Sequence, residues 1–150
     1  MSAPPRHLSE TLAARVARIS LIEKLPPMRT LRALESKLKK IVPGSALIPR
    51  GDVHIDEIIA NGHEFSTVGL RMRRGAPSNC HENAVNLFAS GVAAGVGTGY
   101  ACDGILWRQH SWGLDARGRI LETTVKGRKY FGLGGPLLSA LHLVLERRTA

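Results

Sequence analysis

Gly75-Ala76-Pro77-Ser78-Asn79-Cys80-His81-Glu82-Asn83-Ala84 is where the chain changes character. A run of turn-forming residues, Gly75 to Asn79, gives way to a stretch with Ala84, Val85, Leu87 and Phe88 at helical spacing. The reading is a turn that opens a helix, with Cys80 in the first helical turn and Gly91 as its stop. A thiol placed there meets unpaired backbone N–H groups and the positive end of the helix dipole, and both favour the thiolate. Pro77, Ser78 and Asn79 supply the turn and capping chemistry that exposes it. The polar run Ser78 to Asn83 argues against Cys80 as a small buried hydrophobe, a role that suits Cys102 better.

Downstream of this helix the periodicity becomes that of strands. Gly95-Val96-Gly97-Thr98-Gly99-Tyr100-Ala101-Cys102 is glycine-rich and strand-like, and its glycine spacing is not that of a phosphate-binding loop. A hairpin follows, with arms Leu106 to Leu114 and Arg119 to Thr124 joined at Asp115-Ala116-Arg117-Gly118. His110 lies on the first arm between Trp107 and Trp112, and Glu122 lies on the second. The imidazole is the natural base for a thiol, and the carboxylate is the group that would orient the imidazole. Strand parity makes this testable, since His110 and Glu122 share a face only if the sum of paired residue numbers is even. A tight turn at Ala116-Arg117 gives an odd sum; a longer loop with Gly118 in a bulge gives an even one, and that loop is predicted.

Further candidates surround these three. His81 follows Cys80 on the helix, so its side chain points about 100° away, which suits substrate contact or a supporting hydrogen bond better than proton transfer. Asn79, the backbone N–H of Cys80 and Gln109 are candidate oxyanion donors. Trp107 or Trp112 is a candidate wall for the cleft. Cys80, His81, Cys102 and His110 could in principle hold zinc, but no Cys-x-x-Cys or His-Glu-x-x-His spacing supports it, and no metal or cofactor is expected.

The rest of the chain frames this region. Ser9 is a plausible cap for a helix carrying Leu12, Val16, Ile19 and Leu21-Ile22, after a loose stretch at residues 1–7. Pro26-Pro27 stops it, and a second helix from Met28 to Ile41 shows Leu31, Leu34, Leu38 and Ile41 on one face. Residues 1–44 therefore read as a basic helical hairpin packed on a core at 45–150, a single domain overall. Ala46 to Pro49 and Thr67 to Met72 look like short strands, Asp56 to Ala60 like a helical turn, and Tyr130-Phe131-Gly132 like another strand. Leu137 to Leu145 is a helix or a strand.

The formal charge is +9 at pH 7, which favours acidic partners or nucleic acid by long-range attraction. No zinc-finger spacing or ribonucleoprotein motif accompanies it. Two cysteines do not make a secreted disulfide framework, the N-terminus lacks the apolar run of a signal peptide, and the apolar runs are too short for a membrane span. A soluble, cytoplasmic protein without membrane contact is expected.

Cys80-His81-Glu82-Asn83, His110-Ser111-Trp112 and Glu122-Thr123-Thr124 resemble the Cys-x-x-Asn, His-Ala-Trp and Asp-Pro-Thr blocks of small papain-like and transglutaminase-like cysteine enzymes. The resemblance covers residues 75 to 132 and not the two N-terminal helices. It departs at Glu122, longer than the usual Asp or Asn, and in lacking an upstream oxyanion glutamine. It implies an α+β fold in which an antiparallel sheet packs against the helix bearing the nucleophile. It implies a Cys-His-Glu acyl-transfer enzyme (an amide hydrolase or peptidase, a deamidase or a transferase) acting on a peptide, protein or other amide. The alternative is a basic intracellular binding module for nucleic acid or an acidic protein, its triad vestigial.

Overall fold

A computed structural model describes residues 11–20, 23–135 and 138–148. In chain order the elements are α1 (Leu12–Ile19), α2 (Met28–Ile41), β1 (Ala46–Leu47), α3 (Ile55–Asn61), β2 (His63–Phe65), β3 (Arg71–Met72), α4 (Cys80–Ala89), β4 (Gly95–Cys102), β5 (Leu106–Leu114), β6 (Ile120–Glu122), β7 (Lys129–Gly135) and α5 (Leu138–Arg148). The fold is mixed α+β. Its strands form a mostly antiparallel sheet in the order β2-β7-β4-β5-β6-β3, with β1 parallel to the first residues of β5 and β3 parallel to β6.

β4 pairs with β5 over its full length, from Gly95 opposite Leu114 to Cys102 opposite Trp107. This register sorts their side chains. Val96, Thr98, Tyr100 and Cys102 share one face with Trp107, Gln109 and Ser111, and the described helices pack there. Leu31, Leu34 and Leu38 of α2 and Ile55 and Ile58 of α3 join Tyr100, Cys102, Trp107 and Phe131 in one buried cluster, against which Leu12 and Val16 of α1 also pack. The leucine spacing of 31, 34 and 38 puts one stripe of α2 against the sheet, and each buried leucine contributes roughly 2 kcal/mol of apolar transfer. Ala84 of α4 and Val144 of α5 pack on Val96 in a second cluster.

The opposite face carries no described helix. Trp112, Leu114, Ile120 and Tyr130 are buried there, with Phe65, Leu70 and Ala101 against them. The alternating glycines of β4 point to this side. A Cβ on Gly97 would lie 2.1 Å from Trp112 Nε1, so the missing side chain is what lets the indole lie flat over the strand.

The hairpin has the even register. Gly113 pairs with Leu121 and Leu114 with Ile120, and the Asp115 N–H donates to Arg119 O at 2.9 Å. The loop is Ala116-Arg117-Gly118, with Gly118 at φ +78°. His110, Trp112 and Glu122 therefore share the glycine-cleared face.

Elsewhere the sequence reading is adjusted. The strand expected at Thr67–Met72 is reduced to Arg71–Met72, because Thr67 to Leu70 closes a turn with the Leu70 N–H on Thr67 O and Gly69 at φ +75°. The C-terminal segment is a helix from Leu138, and β2 is a strand the sequence did not announce. Helix α1 starts at Leu12, with Thr11 Oγ1 accepting from the Ala14 N–H at 3.1 Å. The cap expected at Ser9, the loose stretch at 1–7 and Leu21, Ile22 and Leu137 lie outside the described residues. Among the described residues no helix is long and apolar enough to cross a membrane.

Candidate active site

Strand β5 is paired on its second edge at its two ends, by β1 at Leu106 and Trp107 and by β6 at Gly113 and Leu114. Between those pairings the edge is open. Trp107 O accepts from the Ile48 N–H on this side, so by strand alternation Gln109 and Ser111 also turn their backbone groups toward the opening. The start of α4 reaches this place. Ser78, at φ +56°, and Asn79 turn the chain into the helix, and the Ser111 N–H donates to the Cys80 sulfur. Asn83, one turn into α4, holds the approach: its amide donates to Ala76 O at 2.8 Å and accepts from the Ala76 N–H at 3.2 Å.

His110 hydrogen-bonds Cys80 and Glu122 together. Its Nε2 lies 2.8 and 3.0 Å from the two carboxylate oxygens of Glu122, which leaves Nδ1 for the thiol. Continuing the hairpin register, Glu122 lies opposite Trp112 and diagonal to His110, so the extra methylene of glutamate spans the diagonal. The carboxylate is fully buried and well provided with donors. Tyr130 Oη donates to Oε2 at 2.6 Å, and the N–H groups of Thr123 and Thr124 donate to Oε1 at 2.9 and 3.1 Å. Tyr130 Oη itself accepts from the Gly127 N–H at 2.8 Å.

The electrostatics follow from these contacts. Burial alone would raise the Cys80 pKa, but the hydrogen bond and positive charge of His110 and the Ser111 N–H bring it below its ordinary value. Burial alone would lower that of His110, yet the hydrogen bonds and charges of Cys80 and Glu122 raise it to about 9. Glu122 is held below the usual carboxylate range against its burial, first by the His110 hydrogen bond and charge and then by Tyr130. Together these shifts favour thiolate with imidazolium over thiol with imidazole.

His81 takes a different part. Burial and the nearby charge of Arg147 depress its pKa to about 4, so it is neutral at physiological pH. Its Nδ1 meets Ser111 Oγ at 2.5 Å, Ser111 Oγ meets Thr98 Oγ1 at 2.7 Å, and its ring also hydrogen-bonds Gln109. Gln109 in turn donates to Gly51 O at 3.0 Å.

A cavity of about 530 Å³ opens beside the thiol, and Ser78, Cys80, Gln109, His110 and Thr124 are among its walls. Of the residues expected around the nucleophile, Gln109 reaches this cavity, because the open strand edge exposes it from the helical side. Asn79 caps α4 with an exposed side chain that makes no capping hydrogen bond. Trp112 is not a wall of the cleft. It is fully buried beneath His110, with ring centroids 6.2 Å apart, and edge-on to Tyr130 at 5.1 Å. Trp107 is buried on the opposite face, its indole N–H donating to Ser45 Oγ. Cys102 is buried, and burial raises its pKa. The sequence reading missed Tyr130, Ser111 and Thr124. Only the Glu-Thr-Thr run hinted at the last.

No protein-family model, curated protein or solved structure matches this chain with significance. Among the described residues no group of three or more His, Cys, Asp or Glu side chains is placed to hold a metal ion.

Proposed function

We propose that this protein is a cysteine-dependent acyl-transfer enzyme built on a papain-like or transglutaminase-like core. The observation that carries the reading is the relay itself. A thiol at a helix start hydrogen-bonds an imidazole whose other nitrogen is fixed by a buried, multiply hydrogen-bonded carboxylate. A purely structural histidine pair has no need of a thiol facing a cavity.

In the proposed cycle the Cys80 thiolate attacks an amide or related acyl carbon, and the carbonyl π electrons move to oxygen. The N–H groups at the start of α4 and the second amide hydrogen of Gln109 are the oxyanion donors. His110 then gives its Nδ1 proton to the leaving amine as the C–N bond breaks, which leaves a thioester on Cys80. Water or another acceptor loses a proton to His110, adds to the thioester, and expels the thiolate. Glu122 stays ionised throughout and keeps His110 in the required tautomer and orientation. Neutral His81 holds Gln109 and Ser111 and takes no proton from substrate.

The test is alkylation of Cys80 by iodoacetamide followed across pH by mass spectrometry, in the wild type and in His110→Ala. Cys80 should react through a pKa well below the free-thiol value of about 8.5, and the shift should vanish in the variant. A wild-type Cys80 that alkylates like an ordinary thiol, unaffected by His110→Ala, would remove the enzyme reading and leave a basic binding module.

A further inference from the structure

Two further hollows neighbour the cavity beside Cys80. A second hollow of about 450 Å³ shares Lys126 and Gly127 with it and adds Thr67 and Arg128. A third, of about 430 Å³, shares Thr67 with the second and reaches Lys129. The three lie along the segment that leaves the Glu122–Thr124 corner of the site, so the path begins at the thiol and runs on past Lys126.

Its charge is one-sided. Among the described residues the first two hollows are lined by Arg50, Arg108, Lys126 and Arg128, against one carboxylate, Asp103. That carboxylate is taken by Arg108 at 3.1 Å, and Arg50 is paired with Glu23 at 2.7 Å. Lys129, further on, is paired with Glu64 at 3.1 Å. Lys126 and Arg128 are exposed and have no carboxylate partner among the described residues. Between them Gly127 is fixed by its N–H on Tyr130 Oη, so the two cations are carried on a loop tied to the triad. Val125, 77% exposed, adds an apolar contact next to them.

From this juxtaposition we infer that the substrate is an acidic polypeptide segment, bound extended along these hollows with carboxylates on Lys126 and Arg128 and an acyl carbon at Cys80. The inference rests on the acyl-transfer reading of Cys80 and names its substrate class. A succession of hollows fits an extended chain better than a compact small molecule. An acyl carbon at the thiol fits a polypeptide and not a nucleic acid, although both are anionic.

The experiment uses the full chain and matched peptidyl vinyl sulfones, one flanked by glutamates and one by lysines. In each the Cys80 thiolate adds to the β-carbon and a proton arrives at the α-carbon, so labelling reports binding followed by attack. The glutamate probe should label at least about tenfold faster at low salt, with the gap closing as ionic strength rises. In Lys126→Glu/Arg128→Glu the preference should reverse. Equal rates for the two probes, or a preference that the double variant leaves unchanged, would overturn the substrate class. Oligothymidylate that blocks labelling better than a free acidic peptide would overturn it too and give the hollows to nucleic acid. The iodoacetamide response of the wild type separates the two levels. If Cys80 keeps its lowered pKa while the probes show no preference, only the substrate class fails. If that response is also ordinary, the reading beneath it fails.

Discussion

Glu122 keeps its charge in a place with no exposure because it is met by donors from His110, Thr123, Thr124 and Tyr130. Its proposed work is to raise the pKa of His110, and the sign of each shift sets a pH window. A thiolate needs pH above the lowered Cys80 pKa, and an imidazolium needs pH below about 9. Alkaline loss of turnover should therefore occur near pH 9, with an acid limb below the usual thiol range. Glu122→Gln keeps the shape and removes the charge. It should draw the alkaline limb to lower pH and cut the rate at neutral pH by about 10- to 100-fold. A vinyl sulfone labelling rate measured across pH checks this, and an unmoved profile would show that Glu122 is only structural. Stability carries the same signs. The folded pKa of His110 is raised, so its contribution is complete below the unfolded value and is lost as pH rises through about 9. That of Glu122 is depressed, so its contribution is present above the unfolded value and lost as pH falls through the folded one.

Among the elements, the hairpin loop decides whether the triad can exist. Gly118 has φ +78°, and a Cβ there would meet nothing within 4 Å, so glycine is required by conformation alone. Gly118→Ala should cost about 1 kcal/mol in urea unfolding and leave the Cys80 pKa where it is. Deleting Arg117 should do the reverse damage. A two-residue loop makes the register odd, turns Glu122 to the helical face, and returns Cys80 alkylation toward that of an ordinary thiol. Persistence of the lowered pKa in the deletion variant would show that parity does not hold the triad together. The parity argument was open to the sequence because it concerns neighbours in the chain. So were α2, from its leucine stripe, and the start of α4, from its turn residues. The role of the alternating glycines was not. Gly97, Gly99 and Ala101 leave one face of β4 nearly bare, and Tyr130 from β7 reaches across it to Glu122 on β6. That reach depends on β7 pairing with β4, a contact between distant segments that no local pattern encodes. The same holds for the open edge of β5, which arises only because β1 and β6 are both short.

Across the whole molecule, one buried ion pair ties the last helix to the segment before α3. Arg147 Nη1 donates to Asp52 Oδ2 at 2.5 Å and Nη2 to Gly99 O at 2.9 Å, while Tyr100 Oη donates to the same carboxylate oxygen at 2.7 Å. Both charged side chains are fully inaccessible. Nothing in the sequence joins Asp52 to Arg147, since they are 95 residues apart and each looks like surface charge alone. The pair also borders the site, because Gly51 accepts from Gln109 and Arg147 helps keep His81 neutral. Asp52→Ala leaves the guanidinium buried without its partner and should cost about 3–5 kcal/mol. Asp52→Ala/Arg147→Met removes both charges and should recover much of that loss, since the desolvation of an unpaired ion is gone. Urea midpoints of Asp52→Ala, Arg147→Met and the double variant give the coupling directly. Loss of the Arg147 charge should also let the His81 pKa rise from about 4, which NMR titration of its ring would follow. If the double variant is no more stable than Asp52→Ala, the cost of Asp52→Ala does not come from an unpaired guanidinium. If it does recover, the apolar contact of Val144 with Ala84 and Val96 is what still holds the C-terminal helix to the sheet once both charges are gone.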